Sequence, residues 1–412
     1  MNKYEFILKE QLKKISLSKE ELSSLKFLSD KLIKELEKHK LNAFVGGSFA
    51  KGTIIKKKGK QDIDIFVVFK NETQINQLGL ILKKINFPGE LNKIHGSRDY
   101  YQINHENIIL EIIPVVEKEN ETINNVTDIS LSHVNYISNK LKKDKFLINE
   151  IKLAKSFMQA CGCYGAESYI NGFSGYSIEV LVIYFKGFIN FLKGIKKENI
   201  IDLEKYFKNK KIILYELNES KIKSPLIVID PTFKFRNLCA GLSFKTYEKF
   251  LLAANDFLKK PSINSFEKKE INLLQLKNSA NENKAKLIEF NFSTQKQKGD
   301  IAATKMKKFF DFIIDEFKRN KQNILNDLFE YNKQENSSKG YLVIKENKVL
   351  EVKGPPINLD EKIKQFKKLH KNTFEKKGYV YYQKEIKLNE IIDFCKTFEK
   401  DMNVFIEKII YY

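Results

Sequence analysis

Residues 4–40 alternate apolar and charged positions at helical spacing, with Leu12, Ile15, Leu22, Leu25, Leu28, Leu32 and Leu36 on the apolar side. The pattern predicts two amphipathic helices, the second opening near Ser18 with Glu20 and Glu21 in its first turn. Residues 43–46 (AFVG) predict a short strand, a polar Gly/Lys loop follows, and 62–69 (DIDIFVVF) predict a β-branched, aromatic strand. A helix is expected over 74–86 and a hairpin pair over 99–104 and 108–116. Residues 137–200 are helical by period, interrupted by the turn-forming Asn171-Gly172-Phe173-Ser174-Gly175. Further helices are expected at 246–259 and 300–333. The second carries Phe309, Phe310, Phe312, Ile313, Ile314, Phe317, Ile324, Leu325 and Leu328. Residues 340–352 predict a hairpin, Gly354-Pro355-Pro356 a hard break, and 360–370 a helix. Strands are expected near 379–388 and a closing helix over 389–410.

These elements predict an α+β, multidomain chain. A mixed sheet with helices fills 1–136, a mostly helical domain 137–258, and an α+β region 259–412. With 42% hydrophobic and 30% charged residues, the 412-residue chain has a globular composition, which excludes a mainly disordered protein. The N-terminus is charged throughout and is not expected to be a secretory signal. No apolar run is long enough to span a membrane, and a cytoplasmic protein is expected.

Lys and Arg number 73 against 52 Asp and Glu, a net charge of +21. Such a balance favours a polyanionic partner. Only Arg98, Arg236 and Arg319 are arginines, however, a skew that suggests a genome-wide compositional bias behind part of the excess. Cys161-Gly-Cys163 is too tight for the usual zinc hook, and Cys239 and Cys395 stand alone, so four reduced, structural thiols are expected.

The chemistry concentrates in Val45-Gly46-Gly47-Ser48-Phe49-Ala50-Lys51-Gly52-Thr53, followed by Asp62-Ile63-Asp64. Glycines and a serine at a strand end let backbone N–H groups approach phosphate oxygens, and the pattern is not a Walker loop. Asp62 and Asp64, two apart on a strand, share a face, while Ile63, Ile65 and Val67 face the core. Crowded carboxylates repel, and hard divalent cations relieve the repulsion. Glu111, an isolated acid in the apolar strand 110–116, is the candidate third ligand. An exposed, solvated sheet face is the competing reading of each of these acids.

Gly47-Ser48, Asp62-x-Asp64 and a later acid form a pattern that resembles the nucleotidyltransferase superfamily typified by DNA polymerase beta. A longer stretch, NEIKLAKSFMQACGCYGAESYINGFSGYSIEVLVIYF at 149–185, resembles the archaeal (class I) CCA-adding enzymes, the tRNA nucleotidyltransferases. Val228-Ile229-Asp230-Pro231, Arg236-Asn237, Ala240 and Gly354-Pro355-Pro356 extend the likeness over nearly the whole chain.

The resemblance implies a polymerase-beta-like catalytic domain, a central domain that completes the nucleotide pocket, and a body and tail that bind RNA. It implies template-independent addition of C, C and A to the 3′ end of tRNA from CTP and ATP, releasing pyrophosphate. Asp62, Asp64 and Glu111 are the implied catalytic acids and ligands of two Mg²⁺ ions. Gly47, Ser48, Lys51, Ser130, His133, Lys155, Tyr164 and Arg236 are the implied nucleotide-binding residues, with Arg236 offering its donor fork to the base. The implied partners are tRNA, gripped at its acceptor end and elbow, and CTP and ATP, with a homodimer left open. Two features depart from the family pattern: Glu111 stands where Asp is usual, and Lys51 where Arg is usual. Another terminal RNA nucleotidyltransferase, such as a poly(A) polymerase, and a non-catalytic tRNA-binding protein are the alternatives.

Overall fold

A computed structural model of the chain describes residues 3–57, 59–96, 98–117, 126–268 and 270–412. The fold is α+β, in two compact units: Met1–Ala166 with Ile170–Lys269, and Glu270–Tyr412 with Glu167–Tyr169.

The first unit opens with α1 (Glu5–Ile15) and α2 (Lys19–Lys38). Ser18 caps α2: its Oγ accepts from the Glu21 N–H at 3.1 Å, while its own N–H donates to Glu21 Oε2 at 2.7 Å. The order continues β1 (Asn42–Val45), α3 (Gly47–Ala50), β2 (Gln61–Phe69), α4 (Glu72–Ile75), α5 (Leu78–Lys84), β3 (Glu90–Ile94), β4 (Tyr100–His105) and β5 (Ile108–Val116). The five strands form one mixed sheet in the order β1-β2-β5-β4-β3, in which β2 and β5 run parallel and the other pairs antiparallel. Ile63, Ile65 and Val67 are fully buried with Leu32, Leu36, Leu110 and Ile112, as strand parity predicts. The expected helix over 74–86 is two short helices, and β3 was not foreseen.

Next come α6 (Ser130–Lys143), α7 (Phe146–Ala160), α8 (Gly175–Phe185), α9 (Phe188–Gly194), β6 (Ile200–Ile201), α10 (Lys210–Glu216) and α11 (Glu219–Ile222). β7 (Ile227–Asp230), β8 (Phe233–Asn237) and α12 (Phe244–Lys259) complete this part. The helices enclose a second core of Phe157, Phe173, Phe188, Phe191, Phe250 and Phe257. Helix α1 packs here. Tyr4 lies in this core, and Gln11 donates to Ser156 Oγ at 2.7 Å in a buried contact.

The second unit contains α13 (Leu273–Glu282), β9 (Lys286–Ser293), α14 (Gly299–Arg319), β10 (Asn323–Asn332), β11 (Ser337–Lys345) and β12 (Val349–Pro356). α15 (Asp360–Leu369), β13 (Thr373–Lys376), β14 (Tyr379–Glu385), α16 (Leu388–Lys396), α17 (Glu399–Met402) and β15 (Phe405–Tyr411) follow. Its sheets are β10-β11-β9-β15 and β12-β14-β13.

Four expectations fail here. The helix expected over 300–333 ends at Arg319; Lys321 takes φ +55°, and 323–332 pairs as a strand with β11. The expected 340–352 hairpin does not close, because β11 already has β10 and β9 on its two edges and β12 pairs with β14. Gly354-Pro355-Pro356 does not break the strand: β12 lies at a sheet edge, where proline costs no ladder bond, and a bulge precedes Pro356. The closing helix turns at Asn403 (φ +52°), and 405–411 becomes a strand on β9.

Candidate active site

The β2–β5 register sets Asp64 directly beside Glu111 on parallel strands, and the β4–β5 register sets Gln102 on the other side of Glu111. Gln102 Nε2 donates to Glu111 Oε1 at 2.7 Å. Lys57 forms an ion pair with Asp62. The Gly47 turn lies against Asp64. Gly47 has φ +58°, and a Cβ there would stand 1.5 Å from Asp64 Oδ2, so only glycine fits. Ser48 follows in α3, its carbonyl accepting from the Thr53 N–H at 2.9 Å.

Burial pushes Asp64 above the usual carboxylate range, with repulsion from Asp62 adding to it. Burial and the neighbouring Asp64 raise Glu111 to about 7. These are protonation-prone, hard-oxygen donors, a set that suits a divalent cation able to displace the protons. Among the described residues, no three His, Cys, Asp or Glu side chains are gathered closely enough to cage an ion unaided.

Lys51 and Lys155 meet on a residue the sequence reading passed over. Lys51 Nζ donates to Glu179 Oε2 at 2.6 Å, and Lys155 Nζ to Glu179 Oε1 at 2.7 Å. Thr53 Oγ1 donates to Glu179 Oε1 at 2.7 Å and accepts from Lys155 at 2.9 Å. Burial alone would raise Glu179, but the two ammoniums overcome it and hold the carboxyl at about 2. Tyr164 stands close by: a Cβ on Gly175 would lie 2.8 Å from its hydroxyl and 4.0 Å from Lys155 Cε.

A second cluster gathers on Asp230, at the end of β7. His133 of α6 bonds Asp230 Oδ2 at 3.0 Å, and Arg236 of β8 donates to the same oxygen at 3.1 Å. Thr232 donates to Asp230 Oδ1 through its N–H and its hydroxyl, each at 2.8 Å, and Tyr176 donates at 3.3 Å. The His133 and Tyr176 rings stack at 3.8 Å. Burial opposes the charge on Asp230, yet the His133 bond and those from Thr232 keep it below the ordinary carboxylate range. Burial likewise lowers His133. Ser130 opens α6, one turn before His133.

The structure thus sorts the sequence candidates into three groups: Gly47, Ser48, Asp62, Asp64 and Glu111 at the sheet; Lys51, Lys155 and Tyr164 around Glu179; His133 and Arg236 around Asp230, with Ser130 one turn before His133. Glu179 carried the signal that exposed Glu111, a lone acid in an apolar run, but on a helix. The four cysteines are free thiols, and no described helix is long and apolar enough to cross a membrane.

Residues 3–131 match the Second Messenger Oligonucleotide or Dinucleotide Synthetase domain, and residues 149–267 match the tRNA nucleotidyltransferase second domain. The CCA-adding enzyme of Nanoarchaeum equitans is 36% identical over 358 residues, covering 83% of this chain and 85% of that protein. The chain belongs to the archaeal CCA-adding enzymes. The family's Methanocaldococcus jannaschii member is 28% identical over 424 residues, covering 95% of this chain and 90% of its own length. The Pyrobaculum aerophilum member is 31% identical over 279 residues, 65% of this chain and 63% of that enzyme. As a family member the chain is a tRNA nucleotidyltransferase, and its reaction is CCA addition. The structure of the Cid1 poly(U) polymerase in its MgGTP-bound form shares the fold at TM-score 0.52 and 14% identity, covering 64% of this chain and 99% of that one. A cytoplasmic RNA terminal U-transferase does so at 0.51 and 14%, covering 66% and 100%.

Proposed function

We propose that CCA addition takes place where the Gly47-Ser48 turn lies against Asp64, itself paired with Glu111, with the triphosphate at Lys51 and Lys155 and the base at Arg236. The observation that carries this reading is Asp64 beside Glu111 across parallel strands, with a glycine turn on the Asp64 carboxylate. The tRNA 3′-oxygen attacks the α-phosphorus of CTP or ATP in line; one P–O bond forms, another breaks, and pyrophosphate leaves.

Asp62, Asp64 and Glu111 would hold two Mg²⁺ ions, whose charge would acidify the 3′-hydroxyl and neutralise the leaving pyrophosphate. The backbone N–H groups at Gly47 and Ser48 receive phosphate oxygens, the glycine at φ +58° letting the turn approach Asp64 closely. Lys51 supplies cationic donors, and Lys155, its N–H groups held by Glu179 and Thr53, adds positive charge, with Tyr164 beside it. Arg236 aims its fork at the base while Asp230 fixes the guanidinium through Nη1. Ser130 and His133, one turn apart on α6, serve the same side, where the His133 and Tyr176 rings stack.

For the tRNA elbow the reading assigns the face of the β12-β14-β13 sheet turned away from α15. Register places Lys353, Tyr381 and Phe374 side by side across the three strands. The Phe374 and Tyr381 rings stack at 5.8 Å, and Lys353 lies over Tyr379. Helix α15 covers the other face, where His370 stacks on Tyr382 at 3.8 Å. Half-exposed aromatics beside lysines suit unpaired bases next to phosphates. The protein then works on tRNA in the cytoplasm.

The test is incubation with tRNA lacking CCA, Mg²⁺, CTP and ATP. Ordered incorporation of two C and one A is expected. Long A tails would point to a poly(A) polymerase, and binding without incorporation to a non-catalytic module.

A further inference from the structure

We propose that Glu179 is a positioning residue for the triphosphate: it assembles Lys51 and Lys155 into one cationic pair before the nucleotide arrives. The proposal rests on the reading of those lysines as triphosphate ligands.

The two ammoniums come from different parts of the fold. Lys51 follows α3, beside the mixed sheet; Lys155 lies in α7, within the helical core; Glu179 lies in α8. The Glu179 side chain is fully buried, and Lys155 and Lys51 are only 3% and 8% exposed. Two buried cations this close repel unless an anion stands between them. Glu179 is that anion, and it divides its oxygens, Oε2 to Lys51 and Oε1 to Lys155 and Thr53. Thr53 closes the ring by donating to Glu179 and accepting from Lys155.

The arrangement does more than neutralise. Burial lowers Lys155, but one carboxylate does not cancel two ammoniums, and the excess positive charge of the protonated pair attracts an anion. Lys155 directs its N–H groups to Glu179 Oε1, Thr53 Oγ1 and, at 3.4 Å, the Thr53 carbonyl, which anchors it. Among the described residues Lys51 gives one N–H, to Glu179, and an ammonium carries three, which leaves donors for phosphate oxygens. Fixing both cations beforehand removes the cost of ordering long, flexible side chains when the triphosphate binds. Glu179 acts on nucleotide binding through the lysines and touches no reacting atom.

The experiment compares Glu179→Gln, Lys155→Met and the double variant as full-length proteins, with tRNA lacking CCA and with CTP varied. Glu179→Gln should raise the KM for CTP by about 10-fold or more, lower kcat by a smaller factor, and leave tRNA affinity within about twofold. Glu179→Asp, which keeps the charge, should recover part of the KM. In the Lys155→Met background, adding Glu179→Gln should raise the KM by a much smaller factor than in the parent. A folded Glu179→Gln protein with parental KM would overturn the proposal, as would a full, multiplicative KM increase in the double variant. Should Glu179→Gln fail to fold, the double variant, which removes both members of a buried pair, is read against Lys155→Met by the same criterion. Lys51→Met with an unchanged KM for CTP would instead remove the underlying assignment of the lysines, a failure distinct from one confined to Glu179.

Discussion

Asp64 and Glu111 occupy directly paired positions on the parallel strands β2 and β5, and burial raises both carboxyls above their ordinary range. At neutral pH this pair holds a proton more readily than two separate acids would. A divalent cation must displace that proton to bind. Its affinity should therefore rise as pH increases from about 6 to about 8, across the value near 7 for Glu111. Calorimetric titration with Mg²⁺ at several pH values checks this, and Glu111→Gln should flatten the dependence. Asp62→Ala and Asp64→Ala should each lower incorporation by roughly 10²-fold or more while leaving tRNA binding largely intact.

Gly47→Ala should fold and turn over slowly. The added methyl would stand 1.5 Å from Asp64 Oδ2, and the backbone has φ +58°, so the turn must lift away from the carboxylate. A loss of kcat of about 10-fold or more with a normal circular dichroism spectrum is expected. Gly52→Ala is the control for backbone strain alone, since its Cβ would meet nothing within 4 Å at a similar φ of +69°.

Asp230→Asn should weaken nucleotide choice more than tRNA affinity. It removes the charge that His133 and Arg236 share, and Asn can no longer accept from both with the same strength. The CTP-to-ATP preference at each addition step should shift by about 10-fold, and Arg236→Ala should shift it in the same direction. Competition assays with both nucleotides report this ratio directly. Arg236→Lys should rescue little, because a point charge cannot replace the planar fork.

The tRNA affinity should fall steeply with salt, since the chain carries +21 and the partner is a polyanion. A loss of roughly 10-fold or more between about 50 and 200 mM salt is expected by filter binding. Tyr381→Ala should weaken full-length tRNA by several-fold yet leave a minihelix without the elbow unaffected. Equal loss on both substrates would move the contact away from this sheet face.

Ser18→Ala should cost about 1 kcal/mol of stability and leave activity unchanged, because it removes a capping box at the start of α2 and nothing near the acids. Thermal unfolding with a parallel incorporation assay separates the two effects.

Much of this was legible from local pattern. The helices at 5–38, the strand bearing Asp62 and Asp64, and the burial of Ile63, Ile65 and Val67 follow from periods of 3.6 and 2, which are set by the backbone within a few residues. Where the pattern misled, the strand partner was distant. Residues 323–332 and 405–411 are apolar enough for either a helix or a strand, and β11 and β9 decided for them.

The sequence by itself determined which residue types were available: three acids on strands, a glycine-serine turn, and one arginine near the Asp230 motif. The tertiary structure decided which of them work together. Glu179 lies 128 residues from Lys51 and Asp230 lies 97 from His133, and no local period carries such pairings. They form because folding buries cations and carboxylates in one place, where each must find an opposite charge or lose its own.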